Sequence, residues 1–121
     1  MDKKIAETVI ARAKGYCEAC GMPMNQPNLH HRKLRSQGGK DEVSNLIAVH
    51  HFCHNITSDS IHQNPKRSMV KGHIVPSYAT PRDYPLHLPD GNIVRLDEEG
   101  NYIKLEGKEY GTDNNSWESW E

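Results

Sequence analysis

With 121 residues, 35% of them apolar and 7% aromatic, the chain has room for one small domain with a thin hydrophobic core and none for a second ordinary domain. Its net charge of −1 conceals a basic body and an acidic end: residues 1–82 hold twelve Lys and Arg against six Asp and Glu, and residues 83–121 hold three against ten. A polyanionic partner therefore belongs on the first two thirds; no stretch of about eighteen apolar residues suggests a membrane span, no secretory signal is visible, and the predicted location is cytoplasmic.

Asp2 can cap a helix whose Ile5, Ala6, Val9, Ile10 and Ala13 fall on one stripe, with Gly15 as its stop. A Cys-x-x-Cys turn follows between Tyr16 and Gln26, and the polar text that runs on to Asn45 reverses at Gly38-Gly39. Two short strands are predicted around that reversal, the apolar run Leu46, Ile47, Ala48 and Val49 completing the hairpin. Cys53 to about Ile61 is predicted helical despite the weak helix formers Thr57, Ser58 and Ser60. Lys66, Arg67 and Lys71 form one more helical turn before Gly72 and Pro76. From Leu86 to Leu105, apolar and polar residues alternate around turns at Asp90-Gly91 and Glu99-Gly100, as in a small antiparallel meander. Residues 106–121 are acidic, poor in aliphatic side chains and contain Trp117 and Trp120, so a disordered tail is expected. The fold class is small α+β, with a main domain over 1–77, a strand extension over 78–105 and the tail over 106–121.

Three cysteines, an odd number, suit a reducing compartment in which thiols bind metal. Cys17-x-x-Cys20 and, after twenty-nine intervening residues, His50-x-x-Cys53 supply three thiolates and an imidazole in two matching pairs. That is a structural zinc pattern, and metal bound by such a set contributes on the order of ~10 kcal/mol of folding free energy, which offsets the thin core. His51 and His54 are close enough to compete for the fourth place, but only His50 mirrors the spacing of the first pair.

A second constellation, His30, His31, Asn45 and His54, has residue types suited to phosphodiester hydrolysis assisted by one divalent ion. An imidazole, with an ordinary pKa of about 6.5, can take a proton from the attacking water near neutral pH. His31 is the candidate base, with His30 and His54 as metal ligands. Neighbouring residues of a strand point to opposite faces, so His30 and His31 can serve together only at a distorted strand or a metal at its edge.

The text Tyr16-Cys17-Glu18-Ala19-Cys20-Gly21, His30-His31-Arg32, Ser36-Gln37-Gly38-Gly39, Ser44-Asn45-Leu46-Ile47-Ala48-Val49 and Cys53-His54 resembles the HNH endonuclease family, over roughly residues 16–62. The resemblance implies a ββα-metal finger, a hairpin and helix around one catalytic divalent ion, braced by the zinc site. It implies that His31 is the general base, that Asn45 fixes the hairpin loop and so orients that base, and that His54 and His30 hold the catalytic ion. His30 stands where many members carry Asp, so manganese, nickel or zinc is favoured over magnesium. His50 likewise stands where Cys is more usual in the zinc quartet.

The implied activity is hydrolysis of DNA to 5′-phosphate and 3′-hydroxyl ends, by nicking and with low sequence specificity. Arg32, Lys33, Arg35, Lys40, Lys66, Arg67 and Lys71 are expected along the nucleic-acid backbone, with His62 a phosphate contact or a packed side chain. Likeness to small phage members further implies a packaging role, with a phage terminase or another protein recruited by the acidic tail, and a bacterial or phage-infected cell as the setting. The competing expectation is a zinc-stapled nucleic-acid-binding module without catalysis.

Overall fold

The computed structural model describes residues 1–51, 61 and 64–105. The helix predicted from Cys53, His62 and the tail 106–121 lie outside the described residues, apart from Ile61 at the end of that helix.

Helix α1, Lys3–Ala13, begins where Asp2 Oδ1 accepts the Lys4 amide at 2.9 Å. It stops one residue earlier than Gly15: Lys14 itself takes the left-handed conformation at φ 55° and its amide returns to the Ala11 carbonyl. Val9 and Ala13 are buried and Ile5 packs beside them, but Ile10, placed on the apolar stripe by spacing, is 42% exposed. The interior place on that helix goes instead to Arg12.

Strands β1, Asn28–His31, and β2, Leu46–Val49, pair antiparallel, with His30 opposite Ile47 and His31 opposite Leu46. All four β2 residues are buried, because successive side chains serve two different cores. Leu46 and Ala48 pack with Val9, Ala13 and Val43, whereas Ile47 and Val49 pack with Cys17, Ile61, Leu86, Val94 and Leu96. Helix α2, Pro65–Lys71, ends at Gly72, whose φ of 80° and close approach to the Pro85 carbonyl leave no space for a Cβ, 2.0 Å from that oxygen. Strands β3, Leu86–His87, β4, Ile93–Leu96, and β5, Tyr102–Lys104, form an antiparallel sheet in the order β3-β4-β5.

Two buried arginines join these parts. Arg12 in α1 donates to both oxygens of Glu18 at 2.7 and 2.8 Å and to the Val43 and Leu46 carbonyls. Glu18 in turn accepts the Ala48 amide at 2.8 Å and the Tyr102 hydroxyl at 2.5 Å, so one ion pair ties α1 to β2 and β5. Arg32 is wholly buried and donates to the carbonyls of Gly72, Ser44, Pro81 and Tyr84, while its own carbonyl accepts the Val75 amide. This corrects the expectation that Arg32 lies along the nucleic-acid backbone: at 0% exposure its guanidinium reaches no phosphate. Burial, then the nearby Arg12 charge, lowers its pKa to about 9, so it stays cationic at neutral pH. Strands β3 and β4 share a core with β2, and Arg32 reaches past residue 77 to Pro81 and Tyr84, so segments on both sides of the expected 77/78 boundary pack against one another.

Replacing Arg32 with Leu strands four carbonyls and is expected to destabilise the chain by about 3–5 kcal/mol, whereas Arg95→Leu at an exposed strand position changes stability by less than about 0.5 kcal/mol. Urea unfolding of both variants at equal zinc content checks the contrast.

Candidate active site and metal centre

The loop between β1 and β2 crosses itself, and its geometry depends on one side chain. Asn45, fully buried, accepts the Lys33 amide at 2.7 Å through Oδ1 and donates through Nδ2 to the Lys33 and Lys40 carbonyls at 3.1 and 2.9 Å. Both ends of the loop are thereby held to the start of β2. Within it the Gly39 amide donates to the Leu34 carbonyl at 2.9 Å, and a Cβ on Gly39 would fall 1.8 Å from the Lys33 carbonyl oxygen. Only glycine fits at that crossing. The Gly38-Gly39 reversal thus has two separate causes, a φ of 91° at Gly38 and the backbone contact at Gly39.

His31 stands at the end of β1, its side chain 19% exposed, with Nε2 2.6 Å from Asp41 Oδ1. An ionised carboxylate only accepts, so Nε2 carries the hydrogen and Nδ1 the lone pair. Asp41 also accepts from Arg35 Nη2, at 2.9 Å to Oδ1 and 3.1 Å to Oδ2. The hydrogen bond from His31, opposed by burial and aided by Arg35, holds the Asp41 carboxyl below its ordinary pKa. Asp41 was missed in the sequence; an acidic residue ten positions after His31, just beyond a Gly-Gly reversal, is the only signal that could have found it.

His30 is on the other face of the strand and 1% exposed. Its Nε2 lies 2.7 Å from the His73 carbonyl oxygen, to which it must donate, leaving Nδ1 as the nitrogen suited to a metal. A backbone carbonyl accepting the second ring N–H is the arrangement that orients ligating histidines, and in this respect His30 fits an ion. His30 and His31 are on opposite faces of β1, so they can act at one site only with an ion at the strand's edge, and His54 is outside the described residues.

Cys17, Cys20 and His50 do converge. Their ligand atoms all lie within 4.8 Å of one another, with Cys20 Sγ 3.7 Å from His50 Nε2, and among the described residues they form a set able to bind a metal ion. Two thiols and an imidazole are the donors zinc prefers. Cys53, the fourth expected ligand, is outside the described residues. His51 is not in this group: its Nδ1 accepts from Asn28 Nδ2 at 3.2 Å.

Of the expected backbone contacts, Lys40, Lys66 and Arg67 are exposed; Lys33 is partly buried, with Nζ 3.1 Å from the Ala79 carbonyl, and the Arg35 side chain is 65% exposed beside Asp41. Among the described residues, no helix is long and apolar enough to cross a membrane.

Residues 17–60 match the family model for the HNH endonuclease. Over these 44 of the 121 residues the chain is similar to the HNH endonuclease family. No curated protein and no solved structure matches the chain. An HNH domain points to nuclease activity, with DNA as the substrate and a divalent metal in use, and the matched span contains His30, His31, Asn45 and the Cys17–Cys20–His50 group.

Two outcomes follow from this geometry. Chain purified with zinc is expected to hold one tightly bound ion, and Cys20→Ser to hold markedly less and melt at lower temperature, as read by metal analysis and thermal unfolding. The second concerns His73, whose Nε2 is buried with no hydrogen-bond partner among the described residues and whose pKa burial, then Lys71 and Arg32, lower to about 3. Between pH ~6.5 and ~3 the unfolded chain binds a proton there that the folded chain does not, so stability is fully present above pH ~6.5 and declines as the pH falls. The loss from this group is about 2 kcal/mol from pH 7 to pH 5, and His73→Asn should remove that share of the decline in urea titrations at matched zinc content.

Proposed function

We propose that this chain is a metal-dependent HNH endonuclease that hydrolyses DNA phosphodiester bonds, with His31 as the general base and Asn45 as the residue that holds the loop beside that base. The observation that carries this reading is the Asn45 amide, whose bonds to Lys33 and Lys40 tie both ends of the loop next to His31 inside the segment that matches the family model. In this reading the β1–β2 hairpin and a helix over 53–61 make a ββα-metal finger, residues 1–77 are the nuclease unit and 78–105 brace it.

Cys17, Cys20, His50 and Cys53 would hold a structural zinc, and His30 and His54 the catalytic ion, for which Mn²⁺, Ni²⁺ or Zn²⁺ suits two imidazoles better than Mg²⁺. Bound there, a divalent ion supplies Lewis acidity to a phosphoryl oxygen and stabilises charge on the leaving oxygen. His31 Nδ1 takes the proton of the water whose oxygen bonds to phosphorus. The bond from phosphorus to the 3′ oxygen breaks, leaving a 5′-phosphate and, once the leaving oxygen is protonated, a 3′-hydroxyl. Lys33, Arg35, Lys40, Lys66 and Arg67, with His62, hold the phosphate backbone and read no sequence, and a single site per chain nicks rather than cuts both strands.

Supercoiled plasmid incubated with zinc-loaded protein and added Mn²⁺, Ni²⁺ or Mg²⁺ should convert mainly to the nicked form, and a chelator should stop the conversion. His31→Ala at matched zinc content should lower the rate by about 10²–10⁴-fold with DNA binding kept. DNA binding without cleavage under any ion would favour a zinc-stapled binding module.

A further inference from the structure

We propose that Asp41 is the positioning residue of His31, its carboxylate accepting Nε2–H so that Nδ1 is presented to the attacking water, with Arg35 holding the carboxylate in place. This rests on the nuclease reading above. The contact is short, 2.6 Å between His31 Nε2 and Asp41 Oδ1, and it is made by two side chains that are both partly buried, at 19% and 29% exposure.

The placement of Asp41 does not depend on His31. The preceding residue, Lys40, is held through its carbonyl by Asn45, the Glu42 amide closes a turn on the same carbonyl, and the Gly39 amide bonds to the Leu34 carbonyl. Arg35 then reaches both Asp41 oxygens from the opposite end of the loop. The carboxylate is thus presented to the ring by the loop backbone and neutralised in part by a guanidinium, as expected of a built contact rather than a chance surface pair.

The carboxylate does two things for a base. It selects the tautomer with the lone pair on Nδ1, and it stabilises the imidazolium that forms when Nδ1 takes the proton from water. The proton stays on His31 in this step and Asp41 remains ionised, so no second transfer is required. The Asn45 clamp acquires a further consequence: by holding Lys40, it also holds the residue that aims the base.

The test uses the full chain, zinc-loaded, with plasmid nicking in Mn²⁺ and ¹⁵N NMR of the imidazoles. Asp41→Ala and Asp41→Asn should lower kcat by roughly 10–100-fold with KM within about twofold, and His31→Ala/Asp41→Ala should be no slower than His31→Ala alone. In the wild type one strongly hydrogen-bonded Nε2–H signal should vanish in His31→Ala and in Asp41→Ala alike. Full kcat in a folded Asp41 variant, a double variant slower than His31→Ala by the Asp41 factor, or no such Nε2–H signal in the wild type would each overturn the assignment of Asp41 while wild-type cleavage kept the nuclease reading. Absence of wild-type cleavage with every ion would overturn both. If Asp41→Ala does not fold, the near-isosteric Asp41→Asn carries the same kinetic test.

Discussion

The buried guanidinium of Arg32 is the constraint on which the rest of the molecule depends. It follows the candidate base His31 directly in the chain, and its hydrogen bonds gather carbonyls from the turn before β2, from the end of α2 and from both ends of the one turn that precedes β3. A cation taken fully out of water loses several kcal/mol of solvation, which only a nearly complete set of acceptors can offset. Because those acceptors belong to three separate chain segments, the arrangement holds only when all three are in place. The end of β1, and with it His31, is therefore fixed by the tertiary fold and not by the hairpin alone.

A second polar anchor acts at the other side of β2. The Arg12–Glu18 pair with the Tyr102 hydroxyl joins the N-terminal helix, the residue inside the Cys17–Cys20 turn, and the last strand of the C-terminal sheet. Glu18 also takes the Ala48 amide, so the Cys17–Cys20 turn is bonded to the central strand independently of any ion. Burial and the Glu18 carboxylate push the Tyr102 hydroxyl well above its ordinary pKa, which keeps it a donor at all ordinary pH. A chain with 35% apolar residues thus supplements two small apolar clusters with the buried Arg12–Glu18 ion pair, the carbonyl-bound Arg32 and a Cys17–Cys20–His50 group able to hold a metal ion.

The loop between β1 and β2 has the same logic at smaller scale. Its conformation is written in three backbone bonds to one amide and one crossing that admits no Cβ, and His31 and Asp41 are carried by that frame. His31 and Asp41 are brought together from ten residues apart, while His30, next to His31 in sequence, is turned to the opposite face and bonded to the His73 carbonyl. Adjacency in the chain and adjacency in space are here nearly opposed, as strand geometry requires.

Much was legible beforehand, and for local reasons. The Asp2 cap, the hairpin with Leu46–Val49 as its second strand, the Gly72 stop and the strands around Asp90-Gly91 and Glu99-Gly100 all follow from periodicity and turn chemistry over a few residues. The Cys17–Cys20 pair followed from local turn spacing and His50 was expected beside it from the matching spacing of its own pair, although their meeting across thirty residues is made by the fold. What the tertiary structure alone decided are the contacts between residues far apart in the chain. Arginine reads as a surface charge in any sequence, and nothing local to Arg32 or Arg12 announces carbonyls up to 52 residues away or a carboxylate in the next turn. Ile10 on the helix stripe and Arg32 beside the histidines were misplaced for that one reason: which face of an element is covered is set by the segments that pack on it, and their positions exist only once the whole chain has folded.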